Sequence, residues 1–315
     1  MKAIVLHEFG GPDKLEFTDL ELPQPAPSQV TVDIKGIGVN PVDWKIREGY
    51  LDGLIPHQFP IIPGWDMAGV VTDVGIGVTS LAPGDEVWAY CRRETIQYGS
   101  YAEKLNLPEQ LVTRKPASID FTEAGAVPLA ALTAWQGLFE AGGLTAGETV
   151  LVQAAAGGVG HFAVQLAREN GSKVIGTASN NNHDWVKALG ADVMIDYHEQ
   201  DVADAVKSEC PGGVDLVLDC VGGDVTEQSA KAMADNGRLV TIVSLTEIPD
   251  LRNRGVDAKA VFVRPDRQQL NQLAQMIDEE RLTVHIDETF PLEKAAKAQE
   301  KSQAGHVKGK LVILP

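Results

Sequence analysis

The chain is poor in three features, and each shortage removes a class of function. Across 315 residues there are three cysteines, Cys91, Cys210 and Cys220, widely spaced and without a Cys-x-x-Cys pair. An odd, scattered set supports neither a disulfide framework nor a four-thiolate zinc site, so the thiols read as reduced. No apolar stretch reaches the roughly 20 residues that cross a bilayer. The opening MKAIVLHEFGGPD turns polar after a short apolar core and reads as a first strand, since a signal peptide needs a longer core. Basic residues are scarce too: 27 Lys and Arg stand against 44 Asp and Glu, a formal net charge of −17. Such a surface repels polyphosphate and anionic lipid, so neither nucleic acid nor membrane is an expected partner. The simplest expectation is a soluble protein of the cytoplasm. Internal repeats and low-complexity segments are also missing.

What is present is an α/β pattern in two parts, as the length prior of about two domains predicts. Hydrophobic residues make up 44% of the chain, with 31 glycines among recurring apolar runs. Residues 1–115 are β-rich: AIVLH (3–7), VTVDIKGIGV (30–39), MAGVVTDVG (67–75) and DEVWAY (85–90), separated by the turn clusters GGPD, PQPAPS, PGWD and APGD. A barrel-like antiparallel domain is expected there. FTEAGAVPLAALTAWQGLFEAG (121–142) has helical spacing and ends at a Gly-Gly pair. From residue 149 six apolar runs alternate with helical segments: TVLVQAA, KVIGT, DVMIDY, VDLVLDCVG, RLVTIV and KAVFVR. Runs apolar throughout, at this spacing, predict strands buried on both faces of a parallel sheet. The tail adds a helix over 266–282, a charged helix EKAAKAQEKSQAG and a last strand GKLVILP, which either domain could hold.

The first strand of that alternation runs into Ala155-Ala156-Gly157-Gly158-Val159-Gly160. This fits G-x-G-x-x-G with Ala155 at the first glycine. Gly157 lets the backbone approach a pyrophosphate, Gly160 lets the helix pack on the sheet, and the helix N-terminus offers N–H groups to the anion. The strand before, the helix after and the alternation beyond are the context that supports a dinucleotide site over an empty glycine turn. A methyltransferase is the rival reading, and it usually carries an acid at the end of the second strand. An NAD site also usually has Asp or Glu there, for the ribose 2′-hydroxyl. Here the stretch is GTASNNNHD (176–184), with Ala178-Ser179 in place of the acid. Ser179 and Asn182 offer polar groups to a 2′-phosphate, so NADP is preferred over NAD, although no Arg or Lys precedes Lys187. The alternative for the asparagine triplet is a polar loop.

Taken together, the chain resembles the medium-chain dehydrogenase/reductase superfamily, and within it the zinc-free quinone oxidoreductase and enone reductase branch. The motifs that carry the resemblance are GVNPVDWKIREG (38–49), PIIPGWDMAG (60–69), YGSYAE (98–103), VPLAALTAW (127–135), AAAGGVG (154–160), LGAD (189–192), LDCVGG (218–223) and GHVKGKLVI (305–313). The resemblance implies an α/β fold: a GroES-like β-barrel catalytic domain over 1–123, completed by 266–315, and a Rossmann doubly wound domain over 124–265. It implies an active site in the cleft between them. Zinc relatives bind the metal with an early Cys, the His of Gly-His-Glu and a later Cys or acid. Here Asn40, Trp65 and Asp66 stand at the first positions and Cys91 is isolated; Asp43 and Asp66 could contact a cation but do not make the soft site zinc prefers. No metal is expected.

Without a Lewis acid, alcohol oxidation is disfavoured, while quinones and α,β-unsaturated carbonyls accept hydride more easily. The resemblance thus implies an NADPH-dependent reductase of a quinone or enone; a silent NADPH-binding sensor is the alternative from another class. Lys45 is the expected oxyanion donor, in a position where many quinone oxidoreductases have Tyr; its alternative is a solvated surface lysine. Asn40 is expected to hold nicotinamide or substrate, and Tyr50 is a weaker candidate. Thr133 resembles the residue beside the nicotinamide, and Tyr197 one near the adenosine phosphate. Cys220, Val221, Val243, Ser244, Phe262 and Val263 end strands at the carboxyl edge, where ligands of open parallel sheets bind. Each could equally be core. His161 reads as a packed helix residue, and Lys310 as a residue reaching the cleft. A homodimer is expected, as in relatives that extend the Rossmann sheet edge.

Overall fold

The computed structural model describes residues 1–243 and 248–315. The chain forms two compact units, Met1–Leu132 with Arg264–Pro315, and Thr133–Val263.

In the first unit the strand Gln29–Val39 is the hub. It pairs antiparallel with Asp66–Val74, Lys104–Pro108 and the late strand Lys310–Leu314, within a seven-stranded sheet. A four-stranded sheet holds Leu15–Asp19, Lys2–Leu6, His57–Ile62 and Ile96–Tyr98. Val30, Val32, Ile34, Met67, Val87 and Leu311 share one core cluster. The last strand therefore belongs to this unit. Its register sets Leu311 against Val39 and so brings residue 310 beside residue 40.

The helical run 121–142 is not one helix. It breaks into Phe121–Ala126, Pro128–Trp135 and a π-helical turn Gln136–Ala141. Pro128 explains the first break: it has no N–H for the preceding turn, and its ring restricts Val127. Residues 124–132 group with the first unit, and the Leu129 N–H donates to the Asp66 carboxylate at 2.7 Å.

The second unit is a six-stranded, all-parallel sheet. In chain order its strands are Thr149–Val152, Lys173–Thr177, Val193–Ile195, Val214–Asp219, Met233–Thr241 and Asp257–Ala260. Their spatial order is 3-2-1-4-5-6, the dinucleotide-binding order. Leu151, Ile175, Val217, Leu239 and Ala258 stand in one row across this sheet and belong to one buried cluster. The helix after the fourth strand is short, Asp224–Ala230, because Met233 already pairs with Val214.

Candidate functional site

The strand Thr149–Val152 enters the glycine turn, and the helix Gly160–Glu169 leaves it. The two motif glycines differ in what surrounds them. A Cβ on Gly160 would lie 2.2 Å from the Ala154 carbonyl oxygen and 2.8 Å from the Ala155 Cα, so helix and turn touch through it. A Cβ on Gly157 would meet one atom, the Ala154 oxygen at 3.2 Å, and otherwise open space. That free space lies at the N-terminus of the helix, where the His161 N–H is taken up by the Gly157 carbonyl at 3.1 Å while the positive end of the helix dipole still favours an anion, a cradle suited to a pyrophosphate. Ala155, at the first glycine position, is buried, and its N–H donates to the Thr177 carbonyl at 2.9 Å. Ala156, Gly158 and Val159 complete the turn. His161 is a buried helix residue whose Nδ1 is 2.9 Å from the Gly157 carbonyl, so it braces the turn from behind.

At the next strand end Ser179 precedes a 3₁₀ turn Asn180–Asn182, and the Asn182 amide donates to the Ser179 hydroxyl at 3.3 Å. The structure adds a carboxylate here that the local sequence does not contain. Asp196, just past the third strand, accepts from the Asn180 N–H at 3.1 Å and the His198 N–H at 3.0 Å. Its distance of 16 residues from Asn180 hid it. The NAD-type acid is absent from the second strand end, but an amide-bonded acid stands beside that loop.

Tyr197, Val221, Val243 and Phe262 share one placement. Each lies two residues beyond the end of its strand, at Ile195, Asp219, Thr241 and Ala260. They are 50%, 45%, 38% and 48% exposed, so apolar side chains stand open at four strand ends, three of them on adjacent strands and Tyr197 beyond two intervening strands. Open apolar surface at that edge is where a flat ligand binds in such folds. Asp219, overlooked in the sequence, shapes the fourth strand's turn: its carboxylate accepts from Val221 and Gly222 N–H and from the Thr226 hydroxyl. Cys220 is half-buried, while Val263 and Thr133 are buried. Ser244 lies outside the described residues.

In the first unit, Asn40 and Lys310 meet in a buried polar cluster. The Lys310 ammonium donates to the Asn40 Oδ1 at 2.5 Å and to the Val39 carbonyl at 3.0 Å. The Asn40 Nδ2 donates to the Asp66 carboxylate at 2.8 Å. Asn40 thus bridges cation and anion, and its side-chain amide is spent inside the unit. Asp43 accepts from the Asn40 N–H at 2.8 Å and the Tyr101 hydroxyl at 2.9 Å; its other oxygen, Oδ1, is buried without a partner. Burial pushes the Asp43 carboxyl up to about 7 against its hydrogen bonds, and Asp66 up to about 6 against the Lys310 charge. Burial also lowers Lys310, opposed by both acids. The two acids expected to be able to contact a cation both act on the charge of Lys310, and Asp66 is linked to it through Asn40. Among the described residues no three His, Cys, Asp or Glu side chains are grouped to hold a metal ion.

Trp65 is 5% exposed and meets Tyr90 edge-on at 6.1 Å. Gly69 in the same motif is required by packing, since a Cβ there would lie 2.2 Å from the Asp33 carbonyl oxygen. Lys45 sits on the helix Pro41–Arg47, with its ammonium 5.6 Å from the Trp44 ring centroid, and burial lowers its pKa. Tyr50 is 60% exposed and meets Trp44 edge-on at 5.8 Å. Asn40, Lys45 and Tyr50 thus occupy one helix and the turn after it. Among the described residues no helix is long and apolar enough to cross a membrane.

Residues 26–117 match the family model described as alcohol dehydrogenase GroES-like domain, and residues 189–313 match that described as zinc-binding dehydrogenase. The chain is 33% identical over 327 residues to the chloroplast envelope quinone oxidoreductase homolog of Arabidopsis thaliana, covering 100% of this chain and 98% of that protein. It is 33% identical to the chloroplastic NADPH-dependent alkenal/one oxidoreductase of the same plant, covering 100% of this chain and 80% of the relative. Among solved structures, the quinone oxidoreductase from Coxiella burnetii superposes with a TM-score of 0.92 at 33% identity, covering 100% of this chain and 99% of the other. With the glycine turn, the 3-2-1-4-5-6 sheet and this end-to-end similarity in hand, the chain belongs to the medium-chain dehydrogenase/reductase superfamily, in its quinone oxidoreductase and enone reductase branch.

Proposed function

We propose that the chain is a zinc-independent, NADPH-dependent reductase that transfers a hydride to a quinone or an α,β-unsaturated carbonyl. The observation that carries this reading is the glycine turn: Gly160 is closed by packing, while Gly157 faces free space at a helix N-terminus. Bound NADPH supplies the hydride. Gly157, Gly158 and the first turn of the helix receive the pyrophosphate. Ser179 and Asn182 offer hydrogen bonds to the 2′-phosphate, and Tyr197, Val221, Val243 and Phe262 give flat apolar contact along the strand ends.

On the acceptor side, Lys45 donates a hydrogen bond to the carbonyl oxygen and stabilises the negative charge that develops there. Its lowered pKa strengthens it as a proton donor. Tyr50 flanks the acceptor from the turn after the helix. Asn40 acts by position: its amide ties the start of the Lys45 helix to Lys310 and Asp66. We assign the catalytic part to Met1–Leu132 with Arg264–Pro315 and the cofactor part to Thr133–Val263, a boundary later than the expected residue 123 because residues 124–132 group with the first unit.

The test is NADPH oxidation by the purified protein with a panel of quinones and enones, repeated with NADH, beside metal analysis of the same sample. Turnover with at least one conjugated acceptor, faster with NADPH and without stoichiometric metal, is the expected result. Tight NADPH binding without turnover on any acceptor means a sensor instead. We further place the protein in the cytoplasm, on its acidic surface, and as a homodimer joined along the terminal strand Asp257–Ala260 of the sheet. A monomer mass by light scattering refutes the dimer.

A further inference from the structure

One cavity of the first unit is used by neither site above. It measures about 580 Å³ and is lined by Arg92, Arg93, Tyr98, Pro108, Leu111 and Pro265, among others. Small-molecule sites are commonly ~300–1,000 Å³. Its charge runs against the rest of the molecule. Acids outnumber bases 44 to 27, and other arginines find carboxylates readily: Arg47 with Glu48, Arg114 with Asp85, Arg238 with Glu148, Arg281 with Glu279. Among the described residues no ion pair includes Arg93. One of its amino groups donates to the Asn106 carbonyl, while its Nε is buried with no hydrogen-bond partner. Burial lowers its pKa.

Such an arrangement is costly, because a part-buried guanidinium gives up water and receives no anion in return. Arg92 adds a second positive charge, next to the Tyr90 hydroxyl. Glu94 also lines the cavity, but it is exposed and is not paired with Arg93. The rest of the lining is mixed: Tyr98, 52% exposed, Pro108, Leu111 and Pro265 give apolar surface, and Thr95, Gln97 and Gln110 add polar groups. The cationic end of Arg93 with Arg92, beside the Tyr98 ring and Leu111, matches a carboxylate on a flat apolar body.

We propose that this cavity binds a small organic carboxylate, its carboxylate on Arg93 and Arg92 and its apolar body against Tyr98, Leu111 and the prolines. The occupant differs from a quinone or simple enone, which is uncharged, so the site stands apart from the reductase reading. The test is calorimetric titration of the full chain with benzoate, its neutral isostere benzamide, and inorganic phosphate. Benzoate is expected to bind at one site, with benzamide weaker by about tenfold or more for loss of a charge-assisted contact, and phosphate weaker by about tenfold or more for loss of the apolar body. Arg93→Gln and Arg93→Lys should both weaken benzoate by about tenfold, since lysine keeps the charge but loses the fork. Arg92→Gln should weaken it a few-fold; it decides the matter if the Arg93 variants fail to fold. Equal binding of benzoate and benzamide, no benzoate binding by the wild type, or unchanged affinity in Arg92→Gln overturns the proposal. Phosphate binding as tightly as benzoate also overturns it, because it makes the site one for simple anions.

Discussion

Two substitutions three residues apart should fail in opposite ways. In Gly160→Ala the new Cβ must fit 2.2 Å from the Ala154 oxygen and 2.8 Å from the Ala155 Cα, both backbone atoms that cannot swing aside. The helix has to move off the turn, an overpacking cost of ~1–3 kcal/mol. At about 2–4 °C per kcal/mol the melting temperature should fall by several degrees. In Gly157→Ala the nearest atom is 3.2 Å away and nothing else is close, so the fold should tolerate it to within about 1 kcal/mol. That Cβ instead fills the space through which the pyrophosphate reaches the N–H groups. Losing charge-assisted bonds of about 2 kcal/mol weakens NADPH about thirtyfold. Thermal melts and fluorescence titration with NADPH read the two quantities separately. A Gly157→Ala protein that binds NADPH like the wild type refutes the cradle. A Gly160→Ala protein that melts like the wild type refutes the packing argument.

The buried cluster and the acceptor side give further expectations. Lys310→Met should destabilise strongly, by ~3–5 kcal/mol, because it leaves Asp66 and the Asn40 oxygen buried without their cation. Adding Asp66→Asn should recover part of that loss, and strict additivity in urea melts argues against coupling. Asp43 has a folded pKa raised to about 7, so the folded state holds a proton that the unfolded state has lost above about 4. Its contribution is full below that lower value and is lost as pH rises toward 7; the urea midpoint should therefore depend less on pH in Asp43→Asn over this window. An unchanged slope rejects the assignment. Lys45→Ala should cut kcat by about a hundredfold with an unaltered melt, as expected on removing one oxyanion donor; wild-type turnover removes Lys45 from the mechanism.

The parallel sheet was readable in the sequence because its strands are buried on both faces. Each of the six apolar runs supplies residues to a strand, although KAVFVR gives only Lys259 and Ala260 to Asp257–Ala260, and the exposed Tyr197, Val221, Val243 and Phe262 could be picked out as strand ends. The helical run 121–142 misled because its spacing is sound throughout, and only Pro128 marks the break. The polar cluster was not legible, for a different reason. Asn40 and Lys310 are 270 residues apart and meet only through the register of Lys310–Leu314 on Gln29–Val39. Hydrophobic period locates a strand but does not choose its partner or register across such a distance. Asp196 is a smaller case of the same kind, an acid delivered to a loop from a neighbouring strand.

The long reach of Lys310 also sets an order of assembly. The second unit is one unbroken stretch, Thr133–Val263, and every strand of its sheet has been made before residue 264 is added. The first unit must wait. Its hub strand lacks a neighbour, and Asn40 lacks its cation, until Lys310–Leu314 leaves the ribosome. Domains fold as units during synthesis. The half that carries the glycine turn therefore becomes competent first, and the half that carries Lys45 is sealed only once Lys310–Leu314 has been made.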